Sequence, residues 1–214
     1  MNIYETLFAR YGNLRWWPAE TPYEVIAGAV LTQNTAWNNV EKAIHNFSGK
    51  LTPEAVSDMN LSTLADIIRP AGFFNQKAVY LKEITRWFAE YNFNVSVVCK
   101  EPLENIRRGL LSVKGVGKET ADSILLYAFG FPIFAVDAYT VRLCGRYPIP
   151  AGTGYDAVKA YFEDNIPKSA DIYNNFHAMI VVNAKEHCRK TPVCNPTRSG
   201  NNGCPLDCIC EKHI

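Results

Sequence analysis

"LLSVKGVGKETADSILLYAFGFPIFAVDAYTVRLCGR" occupies residues 110–146. It reads as the end of one helix, a tight glycine turn, a second helix, and then an acidic residue, Asp137, behind the apolar run "IFAV". Gly115 and Gly117 flank one apolar residue directly before the second helix. Glycine permits positive φ and close backbone approach, so successive N–H groups can face one way. The helix N-terminus near Lys118 adds partial positive charge, and the hollow suits a phosphate. A helix–turn–helix that holds nothing fits the same letters. Asp137 also has two readings: the N-cap of the helix "AYTVRLCGR", or a carboxylate that both caps and faces a cleft.

Outward from this stretch, helical periodicity dominates. "TPYEVIAGAVLTQNT" opens with Thr21 as cap, Pro22 at the first helical position and Glu24 three residues after the cap. "NNVEKAIHNF", "TPEAVSDM", "LSTLADIIRPAG", "NQKAVYLKEITRWFAEY" and "PLENIRRGLLSV" follow, and later "GYDAVKAYFEDNI" and "YNNFHAMIVVNAKEHC". One stretch, "NFNVSVVCKE", alternates as a strand would. The pattern predicts an all-α fold with short loops. No Gly-, Ser- or Pro-rich linker divides it, and the nearest boundaries are "WWPAET" and "GFPIFAVD". These predict a central helical domain over residues 22–131 and a second domain from residues 1–21 plus 132–214.

At 214 residues with 48% hydrophobic and 20% charged residues, the chain lies in the globular range, which excludes a disordered one. No apolar run is long enough for a membrane span, and "MNIYETLFARYGN" lacks a signal-peptide core. An intracellular, cytoplasmic location is expected. The net charge of +1 neither announces nor excludes nucleic acid, since helix N-termini and backbone amides also grip phosphates. Cys99 and Cys144 stand alone, whereas Cys188, Cys194, Cys204, Cys208 and Cys210 crowd the C-terminal end. In an intracellular chain such a cluster points to a metal or iron–sulfur centre before disulfides.

The runs "GVGKETADSILLYAFG" and "AVDAYTVRLCGR", with "VIAGAVLTQNT", "AGFFNQKA" and the cysteine tail in the same order, resemble the helix–hairpin–helix DNA glycosylases of the endonuclease III superfamily. "WWP…GAVLTQNT" resembles the subgroup that removes 3-methyladenine. The resemblance implies a two-lobed helix–hairpin–helix glycosylase fold, with a DNA-binding cleft between lobes and a C-terminal cysteine-ligated cluster loop. It assigns Gly115, Gly117 and Lys118 to DNA phosphate and Asp137 to catalysis. It further assigns Gln33 to the hole left by a flipped nucleotide and Phe73 to a wedge between base steps. Phe73 and Phe74 fit a core equally well.

In the bifunctional members a lysine nucleophile follows the second hairpin glycine by two residues; here that place holds Glu119, and Lys118 comes one residue early. One residue turns a helical side chain by about 100°, so Lys118 does not replace it. Without that amine no Schiff base forms, which implies a monofunctional enzyme without strand-nicking lyase activity. Trp16, Trp17, Pro18 and Trp37, with Glu119 beside them, are the base-pocket candidates. Stacked aromatic faces favour a flat, positively charged alkylated purine, although any one of these tryptophans could simply fill a core. Lys185 reads as a solvated position beside the cysteine loop.

The family's cluster loop runs C-x6-C-x2-C-x5-C. In this chain the first interval is one residue short, the last matches, and "NPTRSGNNG" lengthens the middle. By resemblance the ligands of a 4Fe–4S cluster are Cys188, Cys194, Cys204 and Cys210, with Cys208 the rival for the last place. Zinc, or no metal, are the alternatives. Such a loop would present Arg189, Lys190 and Arg198 to DNA.

The expected function is base-excision repair of alkylated purines such as 3-methyladenine in double-stranded DNA, by a monomer. The alternatives are a mismatch-specific thymine, uracil or adenine glycosylase, and a non-catalytic module that binds damaged DNA.

Overall fold

The computed structural model describes residues 3–14, 16–193 and 203–210. Among them are twelve α-helices and two 3-10 turns, and no strand. None of the helices is long and apolar enough to cross a membrane. The chain divides into two compact units: one runs over Trp17–Phe131, and the other takes the segment up to Trp16 and the segment from Pro132 onward.

The Trp17–Phe131 unit is built round α2, Pro22–Leu31. Every residue of α2 from Tyr23 to Leu31 except Glu24 is buried, as a helix apolar on all sides must be. Around it pack α3 (Trp37–His45), α6 (Phe74–Ala89) and α9 (Lys118–Tyr127). Its start is the one the sequence predicts: Thr21 Oγ1 accepts from the Glu24 N–H at 3.1 Å, with Pro22 next to the cap. The Glu24 carboxylate reaches back to the Glu20 N–H at 2.6 Å. Two short helices, α4 (Pro53–Asp58) and α5 (Leu61–Ile67), are capped by Thr52 and Asn60 and pack on α6.

The alternating stretch is not a strand. Val95–Val98 forms a helical turn, α7, because the Asn94 side chain accepts from the Ser96 N–H at 2.8 Å and fixes a helical start. With no second strand among the described residues to pair with, the local cap wins over the alternation. The unit closes with α8 (Leu103–Ser112), which joins α9 through the glycine turn.

In the other unit α12 (Ala170–Glu186) is the buried axis, with α1 (Ile3–Tyr11) and α10 (Ala138–Cys144) against it. Asn175 on α12 ties the N-terminal segment down: its Oδ1 accepts from the Leu14 N–H at 2.7 Å and its Nδ2 donates to Gly12 O at 3.1 Å. Fully buried Phe134 stacks on Phe162 of α11 (Tyr155–Asn165) at 4.5 Å between ring centres and meets Tyr173 and Phe176 edge-on. Truncating Phe134 to alanine would cost about 3–5 kcal/mol.

Candidate functional site

In the Trp17–Phe131 unit the glycine turn has the geometry its sequence implies. Gly115 has φ +88°, and a Cβ there would fall 2.2 Å from the Tyr80 ring. Only glycine satisfies both conditions. Gly117 is the N-cap of α9 and contributes no side chain to it. A helix start capped by glycine presents its first amides without a capping side chain from the N-cap residue, and helix starts are where anions are received. Lys118 and Glu119 are the first two residues of α9 and both are exposed.

Gln33 sits just past the end of α2, and its Nε2 donates to Gly115 O at 2.9 Å and to Thr120 Oγ1 at 3.0 Å. It thus braces the turn and the first turn of α9. Phe73 is the N-cap of α6, held in the left-handed region at φ +45° and 67% exposed. That exposure removes the core reading for Phe73. The half-buried Phe74 carries the Arg69 guanidinium over its ring at 4.3 Å.

Trp17, Trp37 and Tyr127 gather on α2. Trp17 meets Trp37 edge-on at 5.5 Å and Tyr127 at 4.9 Å, and a Cβ on Gly28 would lie 3.3 Å from Trp17 and 3.5 Å from Trp37. Gly28 lets both indoles lie close on the helix. The Trp37 Nε1 donates to Glu41 at 2.9 Å, whereas the buried Trp17 Nε1 finds no acceptor among the described residues. Pro18, beside Trp17, is exposed. Trp16 belongs to the other unit, where the Lys185 ammonium lies 5.0 Å from its ring centre. Lys185 is exposed, as its sequence context predicts, but its cation is engaged by an aromatic face.

Asp137 satisfies its capping reading. Its Oδ1 accepts from the N–H groups of Tyr139 and Thr140 at 2.9 and 2.8 Å, and from Thr140 Oγ1 at 3.0 Å. The second oxygen stays outside this cap and lies 3.5 Å from Nε2 of His177. Burial works to raise the carboxyl's pKa. The His177 imidazole and the Thr140 hydrogen bonds outweigh it and hold Asp137 below the usual carboxylate range. His177, on α12, was missed in the sequence because its partner lies on another helix and the residue sits inside an ordinary apolar run.

Of the cysteine tail, Cys194 and Arg198 lie outside the described residues. Cys188 and Cys204 are buried, Cys210 is half-buried and Cys208 is exposed. Arg146 donates to the Cys188 sulfur at 3.0 Å and to the carbonyls of Arg189 and Lys190; Arg142 donates to the Cys188 carbonyl. The Tyr147 hydroxyl is 4.0 Å from the Cys204 sulfur. Its phenol is pushed far above the usual value by burial first, then by Cys204, Cys210 and Cys188 nearby. Among the described residues no three His, Cys, Asp or Glu side chains are gathered closely enough to hold a metal ion.

Residues 27–168 match the family described as "HhH-GPD superfamily base excision DNA repair protein". A Methanocaldococcus jannaschii protein named "Putative DNA repair glycosylase" is 45% identical over 97% of this chain and 94% of its own length. The H. pylori 3-methyladenine DNA glycosylase, solved with 1,N6-ethenoadenine, superposes with a TM-score of 0.74 at 28% identity, covering 87% of this chain and 98% of that one. An endonuclease III trapped on DNA shares the fold, with a TM-score of 0.79 at 23% identity over 98% of this chain and 92% of that one.

Proposed function

Starting from the HhH-GPD superfamily of base excision DNA repair proteins, to which this chain belongs, we propose that it is a monofunctional DNA glycosylase for alkylated purines of the 3-methyladenine type. The observation that carries this reading is the Trp17–Trp37–Tyr127 cluster seated on Gly28. An aromatic surface favours a flat cationic base through stacking and cation–π attraction. The buried Trp17 N–H adds an unmet donor, and an acceptor on a bound base would recover about 1–3 kcal/mol of desolvation cost. The H. pylori relative, a 3-methyladenine glycosylase by name, lends the substrate class further support.

Asp137 supplies the charge for the chemistry. Cleaving the N-glycosidic bond leaves positive oxocarbenium character on the sugar, which a fixed, ionised carboxylate stabilises. Water adds to C1′ and gives up a proton, while a base that was cationic leaves neutral with the bonding electron pair. With Glu119 at the lyase position no lysine amine attacks the sugar, so the product is an intact abasic strand. Gly115, Gly117 and Lys118 hold the phosphate, and Gln33 and Phe73 work on the distorted duplex.

A 4Fe–4S cluster is part of the proposal. The Cys204 sulfur lies 4.0 Å from the Tyr147 hydroxyl, Arg146 donates to the Cys188 sulfur at 3.0 Å, and thiolates are the ligands such a cluster takes. The exposure of Cys208 favours Cys210 as the fourth ligand beside Cys194.

The test is base release from methylated duplex DNA, with strand breaks scored before and after alkali. Released base with breaks only after alkali is the expected result. No release from methylated DNA, with release from a thymine, uracil or adenine mismatch, would replace the substrate class. Asp137→Asn should reduce release by at least about a thousandfold while lesion binding stays within a few-fold, since only the charge in the transition state is removed. Equal activity in that variant would remove Asp137 from catalysis.

A further inference from the structure

Lys77 is a buried cation that the proposed chemistry does not use. It lies on α6 with 2% of its surface exposed, and its ammonium donates to Leu31 O and to Ala71 O, both at 2.8 Å. Burying an ammonium is costly, and here it drives the Lys77 pKa down to about 8. An apolar side chain would fill the same space at less cost, so the two carbonyls are what the position gains. Each stands two residues before a candidate DNA-probing side chain: Leu31 before Gln33, and Ala71 before Phe73. Leu31 ends α2, where helix carbonyls lack intrahelical partners. Ala71 leads through Gly72, at φ +67°, into Phe73, whose left-handed conformation at φ +45° is one that surrounding contacts must hold.

The same helix face reaches the hairpin. Tyr80 lies three residues beyond Lys77, so the two side chains share a face, and its ring covers Gly115. Gln33 closes the set by donating to Gly115 O. Three segments distant in sequence, the Gln33 turn, the Phe73 turn and the glycine hairpin, are thereby tied together along α6.

We propose that Lys77 is a positioning residue that couples the Gln33 turn to the Phe73 turn, so that both side chains meet a distorted duplex as one rigid probe. This rests on the reading that Gln33 and Phe73 enter DNA. Lys77 touches no base and no reacting atom; it acts by holding two carbonyls at one nitrogen.

A double-mutant cycle tests it. The full chain, Lys77→Met, Phe73→Ala, Gln33→Ala and the double variants are compared for base release and for the fluorescence of 2-aminopurine beside a tetrahydrofuran abasic analogue. Lys77→Met is expected to lower kcat and the 2-aminopurine response by about tenfold, with KM moving less than about threefold. The same change made in Phe73→Ala or in Gln33→Ala should cost less than about threefold more, because coupled groups are not additive. Additive losses would overturn the proposal. The 2-aminopurine arm needs no catalysis, so a chain that releases no base loses the proposed function while the coupling is still measured.

Should Lys77→Met fail to fold, Lys77→Gln keeps a donor, and amide hydrogen exchange then reads the two turns directly. Exchange that quickens together in both turns supports the coupling; quickening in one alone overturns it.

Discussion

Asp137 shows how one carboxylate can serve structure and chemistry at once. Oδ1 is saturated by the cap, so truncating the side chain would loosen α10 as well as the reaction, whereas asparagine keeps a capping oxygen and removes the charge alone. Oδ2 faces His177 and carries the electrostatic adjustment. The depressed pKa has a definite sign: it stabilises the folded chain above the ordinary aspartate value of about 3.9 and loses that contribution as pH falls through the lower folded value. His177→Ala takes away the largest influence lowering that pKa and leaves burial less opposed. The acid limb of the pH–kcat profile should then move to higher pH, with activity near pH 8 changing far less. An unmoved limb would show that the imidazole does not act on Asp137. The cap was legible in the sequence because capping is local. The His177 contact was not, because packing between two helices creates it.

At the scale of elements, helix starts were the most legible feature. Thr21 and Thr52, each followed by Pro, accept from a backbone N–H three residues on; Asn60 does the same for α5, although the sequence pattern begins that helix at Leu61. The helix–turn–helix was equally plain, but the reason for its first glycine was not. Positive φ is a local demand; the Tyr80 ring lying where a Cβ would go is a tertiary one. That distinction yields a prediction. Gly49 also has positive φ but has nothing within 4 Å of a Cβ position, so Gly49→Ala should cost only backbone strain, about 1 kcal/mol. Gly115→Ala adds a collision and must displace Tyr80 or the turn. It should cost at least about 2 kcal/mol in chemical denaturation and weaken duplex binding about tenfold, and equal effects at the two glycines would contradict the role given to Tyr80. The stretch that alternates like a strand, Val95–Val98, teaches the converse: alternation over a few residues yields to one asparagine cap when no neighbouring strand is present among the described residues.

At the scale of the whole molecule, the two ends of the chain build one unit together, and the sequence showed only part of why. "WWPAET" and "GFPIFAVD" stand where the chain passes between units, but nothing local to "MNIYETLFARYGN" announced α1 or its anchorage by Asn175. The cysteine tail extends that unit, and the described thiols of the two units differ in environment. Cys204 is buried beside Tyr147 and Asn183, whereas Cys99, in the Trp17–Phe131 unit, is exposed and its thiol donates to the Phe129 carbonyl. If the tail binds a cluster, its binding energy is folding energy for the C-terminal loop, because no such site exists in an unfolded chain. Cys204→Ala should therefore abolish bound iron and lower Tm by at least about 5 °C, given the roughly 2–4 °C per kcal/mol of a chain this size. Cys99→Ala should leave iron content unchanged and Tm within about 2 °C. Iron retained in the Cys204 variant would exclude that thiol from the ligands. Iron lost from Cys208→Ala but kept in Cys210→Ala would reverse the choice that their burial supports.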